Sequence, residues 1–224
     1  MSDTLPENIH WFHGIDLGGG MVTPGFKDNN LLRAEADVVF SYPVAGKTVL
    51  DIGAWDGFFS FEAEKRGASR VLATDWYCWG GPGWGTQAGF NYARQVLDSR
   101  VEDKEIDVPD ISPESVGVFD VVIMSGVIYH VTDPLMILKK AAEVTRECLV
   151  IETAVALVDV KDPAMQFLNA MPHNGDPTNF WSPNPPAVVA MLKWCGFKNV
   201  MVSEHPHNKL SDPNNPRCYF HAVK

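Results

Sequence analysis

Between residues 47 and 153, apolar runs of strand length alternate with stretches of helical period. KTVLDIG (47–53) reads as a buried strand, and GFFSFEAEKR (57–66) as a helix stopped by Gly67. RVLATD (70–75) is a second strand, followed by a Gly/Trp-rich loop (76–86) and a helix over roughly 87–99. Residues 103–108 form a third strand and FDVVIMS (119–125) a fourth. PLMILKKAAEVTR (134–146) is a helix that starts on Pro134, and CLVIET (148–153) is a fifth strand. The irregular stretch 154–184 has the length of a functional loop. A helix over 185–195 has Asn184 as N-cap, Pro185 at its first position and Gly196 just beyond. Strands at 197–203 and 216–223 complete the count. Continuous apolar strands alternating with helices predict an α/β fold with a doubly wound, mostly parallel seven-stranded sheet. The chain is expected to be a single domain, with 1–45 as an N-terminal lid or substrate segment and 46–224 as the cofactor-binding core.

Composition narrows the class. The chain has 224 residues, 46% hydrophobic and 21% charged, as in ordinary globular proteins. No apolar run reaches the roughly 18 residues of a membrane span. MSDTLPENIH lacks the basic and apolar regions of a secretory signal, so a cytoplasmic location is expected. Cys78, Cys148, Cys195 and Cys218 form no CxxC, and Cys148 and Cys195 sit in apolar runs. All four read as free thiols. The net charge is −10, and no Lys/Arg cluster exceeds Lys139-Lys140. Nucleic-acid binders carry a basic footprint, so a small, neutral or weakly charged partner is expected. Homo-oligomers stay open.

In doubly wound sheets, ligands sit beyond the carboxyl ends of the strands. The tail of the first strand is Asp51-Ile52-Gly53-Ala54-Trp55-Asp56-Gly57. Gly53 admits a ligand close to the backbone, and Gly57 opens a helix whose first N–H groups are free. Asp51, at the end of an apolar run, calls for a cationic partner such as an ammonium. Asp75 ends the second strand at about the spacing, some 20 residues on, at which an acidic residue holds ribose hydroxyls. Trp55 stands where a dinucleotide fold needs a second phosphate-admitting glycine. These residues ask for a nucleoside bearing an amine, without a pyrophosphate.

VLDIGAWDG, ATD and DVVIMSGVIYHVTDP together resemble the class I S-adenosylmethionine-dependent methyltransferases over about 47–153. The resemblance implies a Rossmann-like methyltransferase fold and S-adenosylmethionine as cofactor. It implies that Asp51 and Gly53 meet the methionine amino end, with Ala54 and Gly57 of the same turn also cofactor-binding. Asp75 and Trp76 meet the ribose and adenine, Asp107 and Val108 flank the adenine, and Ser125 and Tyr129 line the pocket near the sulfonium. SGVIYHVTDPLMILKK and NFWSPNPPAVVAMLKWCGF further resemble the family that carboxymethylates the wobble uridine of bacterial tRNA. They also resemble its stand-alone small-molecule relatives, among them mannoside O-methyltransferases. WFHGIDLGGGMVTPG is similar to the start of the stand-alone branch. The tRNA enzymes have an extra N-terminal region and more basic residues than this sequence. In that family cations hold an extra cofactor carboxylate; Arg33 and Arg217 fall in the corresponding regions.

Methyl transfer to a hydroxyl needs a base near neutrality. His130, which follows the fourth strand, and His173, in the long loop, are the catalytic candidates. His13, Glu152, Asn179 and Trp181 are candidates for contacting substrate. His10 and His13, spaced i, i+3, would share one face of a helical turn. No third ligand accompanies them, so no metal residue is assigned and dependence on an ion such as Mg stays open. Of the seven tryptophans, Trp76, Trp79 and Trp84 share one loop, and Trp194 reads as core. Aromatic faces interleaved with Asn and His suit a sugar. The expected activity is O-methylation of a small polar acceptor, carbohydrate favoured, with tRNA modification or non-catalytic cofactor binding as alternatives.

Overall fold

A computed structural model of the chain describes residues 5–83, 86–168, 176–212 and 214–224. It divides into two compact units, Met1–Asp107 and Val108–Lys224.

The first unit holds α1 (Asn29–Val39), β1 (Thr48–Ile52), α2 (Phe58–Lys65), β2 (Arg70–Asp75), α3 (Ala88–Val96) and β3 (Glu102–Glu105). β2 lies between β1 and β3, both pairings parallel. β1 and β2 are buried along nearly their whole length, which is why they read as apolar runs. β3, with sequence EDKE, is exposed throughout and ends at Glu105. Asp107 and Val108 therefore lie beyond the strand predicted over 103–108, because that charged segment buries no side chain. The N-terminal segment contains α1, which apolar period alone did not signal. It is capped by Asp28, whose carboxylate accepts the Asn30 and Leu31 N–H groups. Its buried face includes Glu35, matched by Lys27 at 2.7 Å.

The second unit holds β4 (Phe119–Ser125), α4 (Pro134–Glu143), β5 (Thr145–Ala154), β6 (Met165–Phe167), β7 (Trp181–Pro183), α5 (Pro185–Trp194), β8 (Asn199–Glu204) and β9 (Arg217–Val223). β4 and β5 are parallel, β9 is antiparallel to β5, and β8 is antiparallel to β9. With the three strands of the first unit, the described residues carry seven main-sheet strands, mostly parallel and interleaved with helices, as expected. Part of the 154–184 stretch forms the small β6–β7 ribbon. β5 begins at Thr145 rather than 148, because the helix before it stops at Glu143. α5 has the predicted cap, with Asn184 accepting the Ala187 N–H. Trp194, expected in the core, is 66% exposed. α5 buries Ala187, Val188 and Leu192, and Trp194 is the last residue of that helix, beyond the last residue it buries.

Candidate active site

In the first unit the chain reverses sharply after β1. Gly53 (φ 76°) and Gly57 (φ 87°) both occupy the left-handed region that glycine enters at no cost. The Gly53 and Ala54 N–H groups both donate to the Thr74 carbonyl. A Cβ on Gly57 would come within 2.6 Å of the Phe90 ring. Gly57 is the N-cap of α2 and offers no side-chain cap, so the first-turn N–H groups of that helix are free of one. Trp55, between the glycines, is itself left-handed at φ 50°. Its N–H donates to Asp75, its carbonyl accepts from Trp79 Nε1, and its ring stacks on Phe12 at 3.9 Å.

Three carboxylates surround this turn. Asp51 is buried and accepts the Ser60 hydroxyl at 2.6 Å. Burial pushes its carboxyl up to about 7; the Asp75 charge adds to this and the Ser60 hydroxyl opposes it. Asp56 accepts the backbone N–H groups of Phe12 and His13 at 2.7 and 2.9 Å and so ties the N-terminal segment to the turn. Burial raises it to about 6 against those bonds. Asp75 ends β2 and accepts N–H groups from Trp55 and Cys78. Burial raises it too, and the neighbouring Asp107 charge adds.

His10 and His13 do not share a helical turn, since residues 10–13 are not helical. His10 is exposed, whereas His13 is buried with its Nδ1 lacking a hydrogen-bond partner among the described residues. Burial lowers the His13 imidazole to about 3, the Lys27 charge adding and Glu35 opposing. Trp79 is buried at 2% exposure and belongs to the core, while Trp76 is 38% exposed and its carbonyl closes the following turn. Trp84 lies outside the described residues.

The second unit gathers another constellation at the ends of β4, β5 and β9. Glu152, buried at 1% exposure, is bound by the Arg217 guanidinium, which also donates to the Tyr129 hydroxyl at 3.0 Å and lies over its ring. Ser125 Oγ lies 3.5 Å from Glu152, at the limit of hydrogen-bond reach. Burial works against the Arg217 charge, but Glu152 and Tyr129 outweigh it and hold its pKa well above the ordinary value. Glu152, considered for contacting substrate, thus serves as the counter-ion of Arg217.

Beside Tyr129, in a 3-10 turn, sits His130. Its Nδ1 lies 2.9 Å from Thr178 Oγ1 and 3.3 Å from the Thr178 carbonyl, with Asp176 at 3.9 Å. The Thr178 hydroxyl donates to Asp176 at 2.6 Å. Its proton being committed there, Thr178 offers Nδ1 only acceptors. The proton of neutral His130 therefore resides on Nδ1, leaving Nε2 a free lone pair. Trp181 donates to the Thr132 carbonyl at 3.1 Å, and Asn179 is buried beside this turn in sequence. His173 lies outside the described residues. Sequence reasoning missed the roles of Asp176, Thr178 and Asp56, which are short-range and long-range partners with no motif of their own. Among the described residues no cluster of three metal-ligating side chains occurs, and no helix is long and apolar enough to cross a membrane.

The residues at the ends of β1 and β2 fit S-adenosylmethionine. The glycine turn admits backbone approach, the helix start is uncapped, and the Asp75 carboxylate ends β2 beside that turn with more acceptor sites than its backbone N–H donors from Trp55, Trp76 and Cys78 fill. The chain matches the methyltransferase domain family over residues 27–202. It is 28% identical over 201 residues to the tRNA U34 carboxymethyltransferase of Dichelobacter nodosus, covering 86% of this chain and 57% of that one. To the enzyme of that name from Chromohalobacter salexigens it is 26% identical over 192 residues, covering 81% and 54%. The chain thus spans about half the length of these curated relatives. The N-terminal domain of EvdMO1, solved in the presence of SAH and D-fucose, superposes with a TM-score of 0.68 at 17% identity, covering 95% of this chain and 90% of that one. The chain belongs to the methyltransferase domain family and has the Rossmann-like fold of S-adenosylmethionine-dependent methyltransferases.

Proposed function

We propose that this chain is an O-methyltransferase that uses S-adenosylmethionine to methylate a small, polar, hydroxyl-bearing acceptor, a carbohydrate in preference to other classes. The observation that carries this reading is the Asp176–Thr178–His130 relay, which orients a neutral imidazole with its Nε2 lone pair open. Such a group takes the proton of a hydroxyl as the oxygen attacks. The bound cofactor supplies the electrophilic methyl group. Asp75 accepts the ribose hydroxyls, with Trp76, Asp107 and Val108 about the adenine. The turn from Gly53 through Ala54 to Gly57 receives the methionine end, and Asp51 compensates its ammonium. Ser125 and Tyr129 flank the reacting end, with Arg217 and Glu152 fixing the Tyr129 hydroxyl. His13, Asn179 and Trp181 contact the acceptor, and residues 1–45 act as a lid that excludes water. Arg217 is already paired with Glu152, which supports the plain cofactor rather than a carboxylated one.

The tRNA reading draws on the names of the curated relatives. The net charge of −10 weighs against it. The test is transfer of labelled methyl from S-adenosylmethionine to a panel of glycosides and to bulk tRNA. Glycoside labelling with tRNA unlabelled is expected. Labelled tRNA with blank glycosides would overturn the acceptor assignment, and no labelling of either would favour cofactor binding without catalysis.

A further inference from the structure

We infer that Phe167 is a specificity-determining residue for the acceptor, forming with Trp181 an aromatic seat for the pyranose ring whose hydroxyl meets His130. This rests on the reading of the chain as a carbohydrate O-methyltransferase with His130 as base.

β6 and β7 pair antiparallel, and Phe167 stands directly opposite Trp181. Residues opposite one another across two strands put their side chains on one face. The two ring centroids are 4.9 Å apart and the rings are inclined at 51°. Packing on Trp181 nevertheless leaves Phe167 53% exposed.

The ribbon is held at both ends. At one, the buried Asn184 side chain accepts the Ala164 N–H and donates to the Val160 and Asp162 carbonyls. At the other, the Leu168 N–H donates to the Phe180 carbonyl, and the Phe180 N–H donates to the Tyr129 carbonyl at 2.8 Å. Trp181 Nε1 donates to the Thr132 carbonyl. The same short turn carries His130, whose Nδ1 meets Thr178. Thr132 follows His130 by two residues, so their Cα atoms are at most about 7 Å apart. One acceptor molecule can therefore hold a hydroxyl at His130 and a ring face against Trp181 and Phe167.

A sugar suits this seat better than a flat base. Pyranose faces carry C–H groups that pack on aromatic rings, while hydroxyls occupy the rim. Rings inclined at 51° present faces that are not parallel. A planar base stacks on one of them, whereas the C–H bonds of a puckered ring point in several directions and meet both.

The test uses the methyl pyranosides of glucose, galactose and mannose. Their binding to the full chain loaded with S-adenosylhomocysteine is titrated by saturation-transfer NMR, and methyl transfer to them is measured at steady state. Phe167→Leu keeps apolar bulk against Trp181 and removes the ring face. It should raise both the Kd and the KM of the pyranoside about two- to ten-fold, the worth of one aromatic contact. Its kcat, S-adenosylhomocysteine affinity and melting temperature should stay close to wild type, and Phe167→Tyr should restore pyranoside binding. Wild-type pyranoside affinity in Phe167→Leu, a loss confined to kcat or to cofactor affinity, or no recovery in Phe167→Tyr would overturn the inference and leave the acceptor class standing. A wild type that neither binds nor methylates any of these pyranosides would overturn the carbohydrate reading together with it.

Discussion

Burial holds the His130 imidazole below its ordinary pKa, with the Arg217 charge adding and Asp176, Glu152 and the Thr178 carbonyl opposing. The base is the neutral form, so kcat should rise with pH through an inflection below the ordinary 6.5 and level off above it. An inflection above 6.5 would assign the proton transfer elsewhere. His130→Ala should lower kcat by roughly 10²–10⁴-fold with S-adenosylhomocysteine affinity nearly unchanged, as general-base losses do. Turnover within a factor of a few of wild type would make His130 a packing residue. Asp51 carries the opposite kind of cost. Its folded pKa of about 7 stands above its ordinary 3.8, so folding disfavours the ionised form. That cost is full above pH 7 and gone below 3.8. Asp51→Asn keeps the Ser60 bond and removes the charge. Without cofactor it should therefore melt a few degrees higher near pH 8 (about 2–4 °C per kcal/mol at this size). The gain should vanish towards pH 4, while cofactor affinity falls. A gain independent of pH would refute the charge argument.

The turn between β1 and α2 is the element on which cofactor binding depends. Gly57 is left-handed, and a Cβ there would sit 2.6–2.9 Å from the Phe90 and Phe61 rings. Strain and overlap act together, so Gly57→Ala should destabilise by about 1–3 kcal/mol. Thermal unfolding and cofactor titration on one sample check this, and both should weaken. This element was legible in the sequence because glycines and acidic residues at strand ends have local causes. α1 was not, although Asp28 supplies its cap: four residues of its 11 are buried, Glu35 among them, and an ion-paired glutamate breaks the apolar period. Trp194 went the other way, since a tryptophan near the end of an apolar helix reads as core whichever way the helix is rotated.

At the scale of the whole molecule, charge bears on the acceptor. A chain at −10 without a basic cluster should show acceptor KM values that change little with salt, whereas a tRNA substrate would bring a steep dependence. Measuring KM at two ionic strengths checks the class of acceptor independently of its identity.

The sequence by itself determined the alternation of the seven main-sheet strands with α2 to α5, the glycine turn and the acidic strand ends. These follow from period, from backbone freedom and from charge at the end of an apolar run, all of which act between near neighbours. Only the tertiary structure decided what the charges and rings meet. Glu152 and Arg217 are 65 residues apart, Asp56 and the Phe12 N–H are 44 apart, and no local pattern announces such pairs. The same holds for the His130 proton. Its position rests on a Thr178 hydroxyl 48 residues away, whose own proton goes to Asp176, because a buried donor must find an acceptor wherever the fold brings one.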